Sequence, residues 1–229
     1  MAHLLLQNHV HARIPLAHLA AFFLDCCKTA GADHIVSVGS GTGAYEFELT
    51  EGRPELRQRL ILVDPAPDSF QQKPKDDRRA MAPHFAATRD LVAARPEVVG
   101  RCILLLLWPH WELTYDVEAV EVLQPLGIVS LTEALDAPHN CAAGSPLFHA
   151  TYLSPSALAS AQSDYRCIVE ACYHQPTQGA DPAMTRFVNS GWTRRLVKLS
   201  WLARRGASIP KHRPASAQIP RLAKATDVW

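Results

Sequence analysis

Three glycines, Gly39, Gly41 and Gly43, close the run Val36-Ser37-Val38-Gly39-Ser40-Gly41-Thr42-Gly43, and Asp64 stands 21 residues beyond the last of them. Closely spaced glycines directly after an apolar stretch let a ligand approach the backbone, and a helix starting there offers free N–H groups. An acid at the end of the following strand can accept hydrogen bonds from ribose hydroxyls. Together the residues predict a nucleoside-cofactor site. The stretch also satisfies Gly-x-Gly-x-x-Ala through Gly39, Gly41 and Ala44, with Asp64 20 residues later, so a nicotinamide dinucleotide competes for the same residues.

A second group of reactive or aromatic side chains follows later apolar runs. Ligands of an open parallel sheet sit beyond the carboxyl ends of its strands, which places Trp108, His110, Trp111 and Glu133 at the border of the reaction space. Trp108 and Trp111 could hold a flat substrate or shield a cation over their faces; packing beneath the next helix is the competing role. His110 is the candidate general base, and Glu133 a candidate substrate contact or a first-turn helix carboxylate. Cys141, His149, Cys167, Cys172 and His174 lack a paired Cys-x-x-Cys knuckle, and neither they nor His9 and His11 are assigned a metal. The glycine run does not match a Gly-x-Ser-x-Gly nucleophile elbow.

The elements that must position these residues can be read from apolar periodicity. Leu16, Leu19, Ala20, Phe23 and Cys27 recur at helical spacing between Pro15 and Gly31. Short apolar runs at His34–Val38, Leu60–Val63, Cys102–Leu107 and Ile128–Leu131 read as buried parallel strands with helices between them, the pattern of an α/β fold. A further strand is expected near Phe85–Thr88, a short helix over Ser156–Ser163, a strand over Tyr165–Tyr173 and a helix over Pro182–Arg205. A tail with Pro210, Pro214 and Pro220 is expected to be extended or flexible.

The glycine run, with Leu62-Val63-Asp64, resembles the first two motifs of class I S-adenosylmethionine-dependent methyltransferases. The resemblance extends over roughly His34–Glu133, and Leu105-Leu106-Leu107-Trp108-Pro109 resembles a subset of that family whose strand ends in Trp-Pro-Pro. It implies a Rossmann-like, mostly parallel sheet flanked by helices. It also implies S-adenosylmethionine as cofactor, its amino-acid part on Gly39, Gly41 and Gly43 and its ribose on Asp64. Two positions depart from the pattern: Ser37 stands where members commonly carry an acid, and His110 replaces the second Pro of the subset.

The chain has 229 residues, enough for one elaborated domain, and a formal net charge of +1 that conceals an asymmetry. Residues 1–185 hold 13 Lys/Arg and 21 Asp/Glu, a net of −8, whereas residues 186–229 hold 10 Lys/Arg and one Asp, a net of +9. The expected organisation is therefore a cofactor-binding body over 1–185 and a basic C-terminal helix and tail over 186–229. On a helix through Val188–Arg205, Val188, Trp192, Leu196 and Leu199 would share a face, with Arg194, Arg195, Lys198 and Arg205 elsewhere. Such a segment could dock on the acidic body, or meet nucleic acid or an anionic membrane surface. Six cysteines, two of them adjacent, are too sparse for a disulfide scaffold and point to a reducing, intracellular setting, cytoplasmic or nuclear. The apolar stretch Ile14–Cys27 is interrupted by Pro15, His18 and Asp25, so it reads as a helix rather than a signal peptide. Three readings stay open: a methyltransferase with unidentified acceptor, a non-catalytic Rossmann-like binding protein using its basic end, and a NAD-binding oxidoreductase.

Overall fold

A computed structural model describes residues 16–41, 43–64, 81–107, 113–134, 145–160, 163–174 and 196–206. The four apolar runs form the central strands: β1 (His34–Val38), β2 (Leu60–Val63), β3 (Cys102–Leu107) and β4 (Gly127–Ala134). All are parallel to one another, with β1 between β2 and β3. Every residue of β2 and β3 is buried, as both faces of a parallel sheet must be when helices cover them.

The helices are α1 (Leu16–Ala30), α2 (Ala44–Thr50), α3 (Pro54–Arg59), α4 (Thr88–Ala94), α5 (Tyr115–Leu123), α6 (Pro146–Phe148) and α7 (Pro155–Ala159). Phe22, Phe23, Cys26 and Cys27 of α1, with Leu49 and Leu56 of α2 and α3, pack on one face against Ile35, Leu62, Leu105 and Val129. Leu91, Val117, Val120 and Leu123 of α4 and α5 cover the other face, against Val36, Val38, Leu104 and Ile128. The fold is thus a Rossmann-like α/β sheet flanked by helices.

Two further strands complete a six-stranded sheet of order β2-β1-β3-β4-β6-β5: β5 (Tyr165–His174) and β6 (Leu196–Arg204). Strand β6 is antiparallel to both β4 and β5. This corrects the expected helix over Pro182–Arg205: residues 196–204 are extended and Arg205 begins a turn, while residues 182–195 and the tail after residue 206 lie outside the described residues. The reason is tertiary. Trp201, Leu202 and Ala203 are consecutive and all fully buried, which suits a strand covered on both faces and not one stripe of a surface helix. Trp201 meets the Phe22 ring edge-on at 6.0 Å, tying β6 to α1.

The strand expected near Phe85–Thr88 is reduced to a single parallel bridge between Phe85 and Val63, and Thr88 opens α4. His84 finishes this edge. Its N–H donates to Leu62 O at 2.9 Å, while Leu62 N–H donates to its Nδ1 at 3.1 Å. The helix expected over Ser156–Ser163 is observed over Pro155–Ala159, capped by the Ser154 hydroxyl, which accepts from Ala157 N–H. Among the described residues no helix is long and apolar enough to cross a membrane.

Candidate functional site

After β1 the chain crosses to β2 on one side, and β3 returns on the other, so the sheet order reverses at the carboxyl ends of β1 and β3. Such a switch point opens a crevice that receives ligands. The glycine loop lies there. Gly39, Gly41 and Gly43 all have positive φ, at 78°, 58° and 66°, which carries the chain from β1 into α2. Gly39 N–H donates to Val63 O at 2.9 Å and Gly43 N–H to Ser40 O at 2.9 Å, binding the loop to the end of β2 and to itself.

Asp64 stands beside it at the end of β2. Its backbone N–H donates to Phe85 O at 3.1 Å, and its Oδ2 accepts a short hydrogen bond from Gly41 N–H. The loop and the acid paired by spacing alone are therefore in direct contact, and Asp64 is largely buried. A Cβ at Gly43 would sit 2.8 Å from Leu62 Cδ2 and 2.9 Å from Met81 Cβ, and closer still to Met81 O. At Gly39 it would meet the Tyr115 ring, with Cζ at 2.8 Å. Both positions are glycine by close approach as well as by conformation.

Two participants escaped the sequence reading. Tyr115, the first residue of α5, lays its ring against Gly39 and so borders the crevice between β1 and β3. Its only sequence signal was its place at the start of a helix after β3. Glu46 is the second. It is 1% exposed, and its Oε1 accepts a hydrogen bond from Ser37 Oγ at 2.7 Å. Burial pushes its carboxyl up to about 7, with the Ser37 bond opposing and nearby Asp64 adding to the rise. An acid in a first helical turn reads as a solvated charge in sequence; the buried hydroxyl at Ser37, which demands a partner, was the usable clue.

The chain beyond β4, where it resumes at Ser145, is anchored from α5. Asp116 is fully buried; its Oδ1 accepts from Val117 N–H and the Ser145 hydroxyl, and its Oδ2 from Ser145 N–H, at 2.7–2.8 Å. Residue 145, at the far end of the connection from β4, is thereby fixed beside the start of α5. Glu133 lies within β4, opposite Val197 of β6, not in a helical turn after the strand. Trp108, His110 and Trp111 lie outside the described residues. Of the cysteines and histidines weighed above as metal ligands, Cys167, Cys172 and His174 lie on β5, His149 begins the helical turn His149–Leu153, and Cys141, His9 and His11 lie outside the described residues. Cys26, Cys27 and Cys102 are free thiols. Burial pushes Cys27 up to about 11 and Cys102 to about 12, so neither is a ready nucleophile.

No family model matches the chain, and no curated protein does. Solved structures resemble it at low identity. The methyltransferase domain of bacterial CtHen1 is 10% identical, covering 83% of this chain and 99% of that one, with a TM-score of 0.46. A Thermoplasma acidophilum protein, 1320, is 11% identical over 82% of this chain and 86% of that one, with a TM-score of 0.44. A putative RNA methyltransferase from Pyrococcus horikoshii is 11% identical over 89% and 87%, with a TM-score of 0.37.

Proposed function

We propose that the chain binds S-adenosylmethionine at the glycine loop and transfers its methyl group to an acceptor. The observation that carries this reading is the contact of Gly41 N–H with the Asp64 carboxylate at the β1/β3 switch point. The backbone of the glycine loop is assigned to the cofactor's amino-acid part, and Asp64 to its ribose hydroxyls. The sheet itself disfavours NAD. A dinucleotide fold uses two parallel βαβαβ halves, one per mononucleotide. Here the half beyond β3 continues through antiparallel β6, and among the described residues no second parallel unit is formed.

When bound, S-adenosylmethionine supplies a methyl carbon on a sulfonium, which a nucleophile attacks as the carbon–sulfur bond breaks and S-adenosylhomocysteine leaves. The chain's own contribution is chiefly positioning: the loop backbone and Asp64 orient one reactant, and the residues after β3 receive the other. Trp108, Trp111 and Glu133 are assigned to the acceptor. His110 takes the acceptor's proton where the acceptor needs a base.

Calorimetry with S-adenosylmethionine, S-adenosylhomocysteine and NAD tests the assignment. Binding of the two adenosyl sulfur compounds without NAD is expected; NAD binding alone would overturn it. Formation of S-adenosylhomocysteine in the presence of RNA, protein or small-molecule acceptors separates an enzyme from a non-catalytic binding protein. A partner role for the basic end, toward nucleic acid or anionic membrane, is tested separately by deleting residues 207–229, a cut that leaves β6 in the sheet. Unchanged RNA and vesicle binding after that cut would exclude the tail as the partner surface.

A further inference from the structure

The parallel strands β1 to β4 begin at the rim of the sheet away from the glycine loop. Because β6 is antiparallel to both neighbours, β5 begins and β6 ends at that same rim, with Tyr165 opposite Arg204 and Gly127 opposite Ala203. Arginines stand at these strand ends. Arg59 directly precedes β2, Arg101 precedes β3, Arg166 is the second residue of β5, Arg204 ends β6 and Arg205 follows it. Arg95 joins them from the end of α4. His34, the first residue of β1, is pushed below the ordinary imidazole value by burial first and then by the Arg95 cation, with Asp33 and Glu97 opposing.

The partners of these guanidiniums leave most of their charge in place. Arg59 donates to Ala32 O at 2.8 Å, Arg204 to Gln124 O at 3.3 Å and Arg205 to Ser160 O at 3.0 Å. A carbonyl orients a guanidinium without cancelling its charge, and each bond uses one of five donors. Arg101 pairs with Asp33 and Arg95 with Glu97, and both are surface pairs in which the arginine side chain stays 62% and 39% exposed. Arg166 is exposed, and no carboxylate pairs with it among the described residues.

The rim thus sets six arginines against Asp33, Glu97 and Asp164, although residues 1–185 as a whole carry a net charge of −8. Strands lie about 4.8 Å apart, so arginines from β2 to β5 are spread over about 24 Å, a row that follows a phosphate backbone rather than surrounding one anion. The chain also leaves this rim at Gly206, and residues 207–229 hold four Lys/Arg and one acid. Arginine forks match phosphate oxygens bidentately. Membrane attachment would need an apolar face beside the charge. The exposed large hydrophobics among the described residues, Leu113 and Leu147, lie by the start of α5, at the other end of the strands.

We propose that the arginine-lined rim at the amino ends of the strands is a docking surface for the phosphate backbone of a nucleic acid, on the side of the sheet away from the glycine loop. It reads charge and not sequence. The surface stands whichever ligand the glycine loop takes.

The test is fluorescence anisotropy of a labelled single-stranded RNA with the full chain over a series of salt concentrations. Each phosphate contact contributes about 0.7 to the slope of log affinity against log salt. Arg166→Gln and Arg89→Gln each remove one exposed positive charge, but Arg89 sits in the first turn of α4, at the far end of that helix from Arg95. Arg166→Gln is expected to lower the slope by about 0.7 and Arg89→Gln to leave it unchanged. Arg166→Lys keeps the charge and is expected to keep the slope, which separates loss of charge from loss of structure. Arg101→Gln, Arg166→Gln and Arg205→Gln combined, all at exposed positions, are expected to lower the slope by about 2 and to weaken binding roughly 10- to 100-fold at about 0.1 M salt. Equal effects of Arg166→Gln and Arg89→Gln overturn the rim as the surface. So does binding that vanishes on deletion of residues 207–229 and is untouched by the arginine variants. A parent protein that does not bind the RNA, or whose arginines serve phosphatidylserine vesicles and not the RNA, overturns the nucleic-acid assignment.

Discussion

Replacing Gly43 by Ala tests whether the loop is glycine because of close approach or merely because of its turn. The φ of +66° places an alanine in the left-handed region, at a cost of about 1–2 kcal/mol. The added Cβ would also stand 2.8 Å from Leu62 Cδ2 and 2.9 Å from Met81 Cβ, with the Met81 carbonyl closer, and backbone cannot swing aside as a flexible side chain does. Overpacking of this kind costs about 1–3 kcal/mol. The two effects together give roughly 2–5 kcal/mol, or a fall in melting temperature of roughly 4–20 °C for a chain of this size. Gly52 provides the comparison. Its φ is +70°, but a Cβ there meets nothing within 4 Å, so Gly52→Ala carries only the conformational cost. Denaturant unfolding of the two variants, with the parent, isolates the packing contribution as their difference. Equal destabilisation of Gly43→Ala and Gly52→Ala would refute the argument that α2 enters the crevice against residue 81 and β2.

Other expectations follow from the same contacts. Glu46, raised from 4.5 to about 7, binds its proton more tightly in the folded protein than in the unfolded chain. Its contribution to stability is therefore full below pH about 4.5 and is lost as pH rises through about 7, on the order of 3 kcal/mol in all. Glu46→Gln should flatten that part of the stability profile, and an unchanged slope in urea titrations between pH 5 and 8 would contradict it. Asp116→Ala removes the acceptor of three hydrogen bonds and leaves buried Ser145 donors unpaired, so a loss of about 2–4 kcal/mol is expected by denaturation. Trp201→Ala empties a fully buried site between α1 and the sheet and should cost about 3–5 kcal/mol; a loss below about 1 kcal/mol would argue against β6 as a core strand. Gly39→Ala and Tyr115→Ala should be non-additive, because the new methyl occupies space the ring fills, with a coupling of about 0.5–3 kcal/mol in a double-mutant cycle.

The local parts of the site were legible in the sequence because local patterns encode them. A five-residue apolar run followed by glycines at every second position specifies strand, turn and helix within about 15 residues, and the spacing to Asp64 follows from one crossover. The sequence by itself therefore determined β1 to β4, the glycine loop and the acid beside it. It could not determine Leu196–Arg204, whose apolar residues satisfied a helical face as well as a strand. The open slot beside β4 decided that question, since β6 buries Trp201, Leu202 and Ala203 in succession and supplies ladder partners for both β4 and β5. The same holds for Glu46 with Ser37, and for Tyr115 with Gly39. Each pair joins residues on different elements, and only the packing of α2 and α5 on opposite faces of the sheet brings them to the two sides of one loop.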